Sequence, residues 1–195
     1  MSSQTAATAV FRDPVLRFFA LAGVLYLAWY ALYEFVLHPA GFVDRFLIDN
    51  LVSATGTLLG TIGYELIPEP AQPERTIGVQ GGILLWVGDA CNGASLFAVY
   101  LIFLLAFPGP WRHKAWFAAV GLLSIHAINI LRIAALCIVT VYDYELLNFN
   151  HDYTFYVVVY GWVFGLWYLW IERFSGVRRS AAADRGHATV VNDAR

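Results

Sequence analysis

Four long apolar runs constrain the fold of this chain more than any other feature. Each is long enough to cross a bilayer as a helix, which takes roughly 17–25 residues. The runs are residues 15–37, 91–107, 115–142 and 153–171. Charged residues make up only 13% of the sequence, against about a quarter in a soluble domain. The sequence therefore predicts an all-α polytopic membrane protein with four transmembrane helices in a lipid bilayer.

The charges predict how these helices are oriented, because lysine and arginine collect on the cytoplasmic side of a membrane protein. One side of the predicted bundle carries Arg12, Arg17, Arg112, Lys114, Arg173, Arg178, Arg179 and Arg185. The other side holds most of the acidic residues and only two arginines. Both termini are therefore expected inside. The first run is too long for a signal peptide and lacks a cleavage site, so we expect it to be retained.

The remaining segments are predicted to lie outside the four crossings. Residues 42–64 have apolar side chains at helical spacing, typical of an amphipathic helix on the outer membrane surface; a fifth crossing would place one terminus outside, against its arginines. Two β-branched runs, 76–79 and 83–87, flank a Gly pair and predict a small extracytoplasmic β-hairpin. We expect one membrane-embedded domain over residues 1–174 and a disordered cytoplasmic tail over residues 175–195.

Three chemically distinctive residues fall near the outer ends of three runs. Cys91 opens the second run in the string DACNGASLF, Arg132 lies in the outer half of the third in INILRIAAL, and His151 precedes the last in FNHDYTF. The predicted topology places all three in the same leaflet. A thiol, a guanidinium and an imidazole can act as nucleophile, oxyanion stabiliser and proton shuttle.

The residues around Cys91 favour a reactive thiol over an inert packed one. Asp89, or Asn92 with Gly93, can cap the following helix and leave backbone amides near the sulfur. The positive end of that helix and a nearby arginine both favour the nucleophilic thiolate. Cys137, in contrast, lies among aliphatic side chains and is expected to be part of the core.

An arginine inside a membrane helix requires a partner or water. Asn129 precedes Arg132 by three residues and could hold its guanidinium by hydrogen bonds. The alternative is a structural ion pair with Asp89, Glu34 or Asp152. Either partner is compatible with a function for Arg132.

Other features indicate no additional chemistry. His126 lies deep in the third run and is expected to be neutral and packed, while His38, His113 and His187 have no convincing partners. No histidines and carboxylates have the spacing of a metal site, so we expect neither a metal nor a cofactor. The chain has no basic stripe, which argues against nucleic-acid binding.

At DACNGASLF, HAINILRIAAL and the histidine ahead of YTFYVVVYGWVFGLWY, the chain resembles the exosortase/archaeosortase family, in its compact bacterial form. The resemblance covers roughly residues 81–171, and Asn-Gly stands after the cysteine where the family commonly has Ser-Gly. It implies a cysteine transpeptidase of the bacterial inner membrane, with its active site facing the periplasm. The substrate would be a membrane-anchored protein whose C-terminal sorting signal, a short motif, a hydrophobic helix and a basic tail, is cleaved. The acceptor of the cleaved protein is unknown.

Two other functions remain open at this point. A thiol redox protein could pair Cys91 with Cys137, although the chain has no CxxC motif and Arg132 would be unexplained. A non-enzymatic membrane scaffold or small transporter subunit would fit the aromatic-rich helices but gives Cys91 no role. The pair Gly161 and Gly165 has the spacing of a helix-packing motif, within one chain or between two.

Overall fold

The computed structural model describes residues 13–68, 72–142 and 155–176. Most of this part of the chain is helical, and a small two-stranded sheet completes it. In chain order the elements are α1 (Pro14–Ala40), α2 (Phe42–Thr61), β1 (Thr76–Ile77), β2 (Leu85–Trp86), α3 (Ala94–Ala106), α4 (Trp111–Tyr142) and α5 (Phe155–Leu169). The predicted helical architecture with a small hairpin is confirmed. The predicted tail lies outside the described residues except for its first two positions.

Two of the described helices, α1 and α4, are long and apolar enough to cross a membrane. The 32 residues of α4 span about 48 Å, well beyond the ~30 Å hydrocarbon core of a bilayer. The other two predicted crossings correspond to shorter helices, since α3 has 13 residues and α5 has 15. A π-helical turn, Trp170–Phe174, continues α5.

Local signals in the sequence explain where α1 begins and ends. The carboxylate of Asp13 accepts a hydrogen bond from the amide of Val15 at 2.8 Å, and Pro14 occupies the first helical position. The helix continues through a π-helical turn, Tyr33–Leu37. It ends at Gly41, whose φ of +68° suits glycine and allows α2 to begin with the next residue. The start of α2 is therefore held against the end of α1.

The buried face of α2 differs from the apolar stripe seen in its sequence. The stripe comprises Val43, Leu47, Leu51, Ala54, Leu58 and Ile62, but the buried residues are Asp44, Ile48, Leu51, Val52, Thr55 and Leu59. The face is rotated by about one residue because it includes Asp44, whose carboxylate is bonded by neighbouring elements. A polar side chain with buried partners can thus define a helix face that hydropathy alone does not show.

The hairpin is shorter than predicted and lies against the end of α4. Its strands pair antiparallel, Thr76 with Trp86 and Ile77 with Leu85. In the turn, the amide of Ile83 donates to the hydroxyl of Thr140 at 3.4 Å. A Cβ at Gly82 would overlap that same hydroxyl, so this contact requires glycine. The hairpin leads the chain directly to Asp89–Cys91.

Helix α4 is the central element, because it packs against α2, α3 and α5, while α1 packs against α3. It contributes to two separate hydrophobic clusters. One contains Leu51, Val79 and Cys137 and joins α2 and the hairpin to the C-terminal half of α4. The other contains Tyr100, Phe117 and the π-turn residue Trp170 and joins α3 and α5 to the N-terminal half. Cys91 packs at the edge of the first cluster.

Candidate active site

Cys91 lies on a single 3₁₀ turn, Asp89–Cys91, and not on the helix that follows. The sequence suggested that the helix opens at Cys91, but α3 begins three residues later at Ala94. The physical reason is Gly93, whose φ of +87° interrupts the helical path between the cysteine and α3. The cysteine is therefore presented on a tight turn at the helix N-terminus, half-buried and with a free thiol.

Asn92 joins this turn to both α3 and α2. Its side-chain oxygen accepts from the amide of Ala94, the first residue of α3, at 2.7 Å. Its side-chain nitrogen donates to the carboxylate of Asp44. Both side chains are 2% exposed. The residue after the cysteine is thus fixed by two hydrogen bonds in a buried setting.

The structure brings Arg132 next to the cysteine. Its Nη2 lies 3.7 Å from Cys91 Sγ, and its Nη1 donates to Asn129 Oδ1 at 3.4 Å. Asn129 also donates from Nδ2 to the carbonyl of Cys91 at 2.9 Å. The Nε of Arg132 is buried and has no hydrogen-bond partner among the described residues. One guanidinium donor therefore reaches the sulfur, while the buried Nε is left unpaired.

A cavity of about 490 Å³ opens onto Cys91 and Arg132. Its floor includes Gly93, Ser95 and Leu96, at the start of α3. Amides in the first turn of a helix have no acceptor within that helix, so this floor can offer hydrogen-bond donors to a bound group. Aromatic side chains from α1 and α5 form much of the wall: Tyr26, Trp29, Tyr30, Tyr33 and Tyr160.

Asp89 is not the partner of Arg132. Its carboxylate accepts from Arg75 Nη1 at 2.8 Å, and the guanidinium of Arg75 lies 5.9 Å from the ring centroid of Trp86. Asp89 thus attaches the cysteine turn to the hairpin. Of the other candidate partners, Glu34 lines the cavity without an ion pair to Arg132, and Asp152 lies outside the described residues.

His151 also lies outside the described residues, so its place relative to Cys91 stays a prediction. Two residues in the first half of α5, Val159 and Tyr160, do line the cavity. His126 faces elsewhere: its Nε2 lies 2.7 Å from Asn50 Oδ1 on α2. Cys137 is fully buried in the cluster shared by α2 and α4.

Sequence reasoning missed the group around Asp44. Tyr33 donates to Asp44 Oδ1 at 2.7 Å, and His38 Nδ1 lies 3.0 Å from Oδ2. The expectation that His38 lacks a partner is therefore wrong. The available signal was an aspartate in the first turn of the helix, directly after the Gly41 turn. Because Tyr33 also lines the cavity, this group connects α1 to the cysteine site.

Comparison with known proteins supplies one match. The family model described as transmembrane exosortase (Exosortase_EpsH) matches residues 4–171. That range includes the cysteine turn, both neighbouring asparagines, Arg132 and His151. No curated protein and no solved structure matches the chain.

Proposed function

Because the chain belongs to the transmembrane exosortase family, we propose that it is a cysteine transpeptidase that cleaves the C-terminal sorting signal of membrane-anchored proteins. The observation that carries this proposal is the 3.7 Å approach of Arg132 Nη2 to Cys91 Sγ at a cavity of about 490 Å³. A guanidinium beside a thiol stabilises negative charge on the sulfur and on an adjacent oxyanion.

The first half of the proposed reaction forms a thioester. The thiolate of Cys91 attacks the carbonyl carbon of the scissile peptide bond, and a C–S bond forms as the carbonyl oxygen takes the negative charge. Arg132 and first-turn amides of α3 donate hydrogen bonds to that oxyanion. The intermediate collapses when the C–N bond breaks and His151 gives a proton to the departing amine. The C-terminal helix and basic tail then leave as a separate peptide.

The second half releases the substrate from the enzyme. An acceptor bearing an amine or a hydroxyl group, or water, attacks the thioester carbonyl, and its proton passes to the imidazole of His151. The C–S bond breaks and regenerates the Cys91 thiolate. Transfer to an amine or hydroxyl is transpeptidation or esterification, whereas attack by water is hydrolysis.

We further propose that α1, α3, α4 and α5 cross the membrane with both chain termini in the cytoplasm. Helix α3 rises only about 20 Å over its 13 residues, some 10 Å less than the hydrocarbon core. With its C-terminal end at the cytoplasmic surface, its start and Cys91 lie below the outer surface of the bilayer. In a sorting signal the scissile bond lies close to the hydrophobic helix of the substrate, so we expect that bond at a depth similar to that of Cys91. This similarity supports a sorting signal as the substrate.

The test is processing of a tagged protein with a C-terminal sorting signal, co-expressed with the enzyme and followed by gel mobility. We expect Cys91→Ala, Arg132→Ala and His151→Ala each to abolish processing, because each removes one chemical role. Cys137→Ala is the matched control, since Cys137 is a fully buried core residue. Normal processing by Cys91→Ala would overturn the proposal. Equal loss from both cysteine variants would instead favour a redox pair.

A further inference from the structure

A second cavity, of about 400 Å³, lies at the end of the molecule away from Cys91. Three parts of the chain form it: the start of α1, the connection between α3 and α4, and the start of α4. The length of α3, about 20 Å, separates it from the cysteine turn. The proposed reaction gives this cavity no role.

Lys114 is the buried cation of this cavity. It is 6% exposed, its Nζ donates to the carbonyl of Leu105 at 3.0 Å, and it lies 4.9 Å from the ring centroid of Trp111. A lysine ammonium has three N–H donors, so the bond to Leu105 leaves two for another acceptor. The bond helps to cap the C-terminal end of α3, where a positive charge is favourable.

The cavity contains a second cation, Arg17, which the capping of α3 does not explain. Arg17, one turn into α1, lines the same cavity and comes from a different helix. The residues that line the cavity, all within the described part of the chain, include no Asp or Glu. The nearby carboxylate of Asp13 already accepts from the amides at the start of α1. Two cations therefore meet in a recess that supplies no anion to balance them.

We propose that this recess binds the phosphodiester headgroup of an anionic phospholipid. The planar guanidinium of Arg17 can donate two hydrogen bonds to phosphate oxygens, and the ammonium of Lys114 can donate another. Phe18, Phe107 and the exposed ring of Trp111 provide apolar contacts for the glycerol and acyl chains beside them. Basic pockets between helices at a membrane surface are suited to anionic headgroups. The lipid joins α1 to the α3–α4 connection and is independent of chemistry at Cys91.

The experiment measures lipid binding by the full-length chain purified in detergent. Native mass spectrometry counts bound phosphatidylglycerol, and the thermal unfolding midpoint is recorded with phosphatidylglycerol, phosphatidylcholine or inorganic phosphate. We expect one phosphatidylglycerol to be retained and to raise the midpoint more than the other additions. Arg17→Gln should weaken its retention by roughly tenfold, as loss of a charged hydrogen bond implies. Arg17 is exposed, so this variant should still fold.

Arg112→Gln is the matched control. Arg112 is exposed and lies two residues before Lys114, but it does not line the cavity. It should retain the lipid as the wild type does, and Lys114→Gln should lose it. Equal weakening by Arg17→Gln and Arg112→Gln would overturn the site in favour of general surface charge. An equal effect of phosphatidylcholine, or of inorganic phosphate alone, would overturn the lipid assignment.

Discussion

At the scale of single residues, the carboxylate of Asp44 holds three side chains that come from two other parts of the chain. Tyr33 and His38 approach it from α1, and Asn92 approaches it from the residue after the cysteine. The position of Cys91 therefore depends on a buried side chain that belongs to a different helix. Asn129 fixes the same turn from the opposite side through the Cys91 carbonyl.

Replacing Asp44 by alanine should destabilise the protein and slow processing together. The change leaves the Tyr33 hydroxyl and the Asn92 amide without their acceptor, and a buried polar group without a partner costs about 1–3 kcal/mol. We expect a lower thermal unfolding midpoint in detergent and less processed substrate in cells. Asp49→Ala, an exposed carboxylate on the same helix, should change neither measurement. Matching midpoints for the two variants would show that the Asp44 contacts contribute little.

Some of the contacts of these residues could be predicted from the sequence, and others could not. The sequence indicated that Cys91 and Arg132 approach one another, because both lie toward the predicted outer ends of their apolar runs. The contacts of Asp44 could not be derived from the sequence, because they depend on the turn at Gly41, which brings the start of α2 to the end of α1. Sequence reasoning also missed the 3₁₀ turn at Cys91, which depends on the left-handed conformation of Gly93. Turns that bring distant helices together are set by three-dimensional packing.

At the scale of helices and strands, the length of the apolar runs predicted α1 and α4 well, because long apolar runs have few alternative structures. It overestimated α3, because the run was taken to begin at Cys91, whereas the helix begins at Ala94, after the left-handed Gly93. The hairpin followed from a Gly pair between β-branched runs, and its turn contacts Thr140 of α4. Boundaries were the weakest part of the prediction because capping and turn geometry define them.

The crossing of α3 and α4 provides a test of packing at this scale. A Cβ at Gly121 would overlap the phenol of Tyr100, which is fully buried and donates to the carbonyl of Phe117 at 2.7 Å. Gly121→Ala should therefore force the two helices apart and lower the free energy of unfolding by about 1–3 kcal/mol. Chemical or thermal unfolding in detergent measures the change.

Gly165→Ala on α5 is the matched control, because nothing lies within 4 Å of the Cβ it would add. Alanine favours the helix over glycine by up to about 1 kcal/mol, so this variant should be as stable as the wild type or slightly more stable. If Gly121→Ala proved as stable as Gly165→Ala, the close approach of the Tyr100 ring to Gly121 would be wrong.

At the scale of the whole molecule, the two hydrophobic clusters divide the protein along α4. The cluster of α2, the hairpin and the C-terminal half of α4 supports the cysteine turn. The cluster of α3, α5 and the N-terminal half of α4 leads to the basic end with Arg17 and Lys114. The thiol site and the cationic recess lie at opposite ends, so the proposed topology predicts that they lie on opposite sides of the membrane.

This orientation can be measured with a membrane-impermeant maleimide applied to spheroplasts, in which the outer membrane has been removed and the inner membrane is intact. In a Cys137→Ala background, Cys91 should be labelled from outside, since it faces an open cavity. In a Cys91→Ser, Cys137→Ala background, Trp111→Cys should be labelled only after the cells are broken, because Trp111 is 70% exposed at the opposite end. The reverse labelling pattern would place the site in the cytoplasm, where a sorting signal already exported could not reach it. Labelling of both positions in intact cells would show that fewer helices cross than proposed.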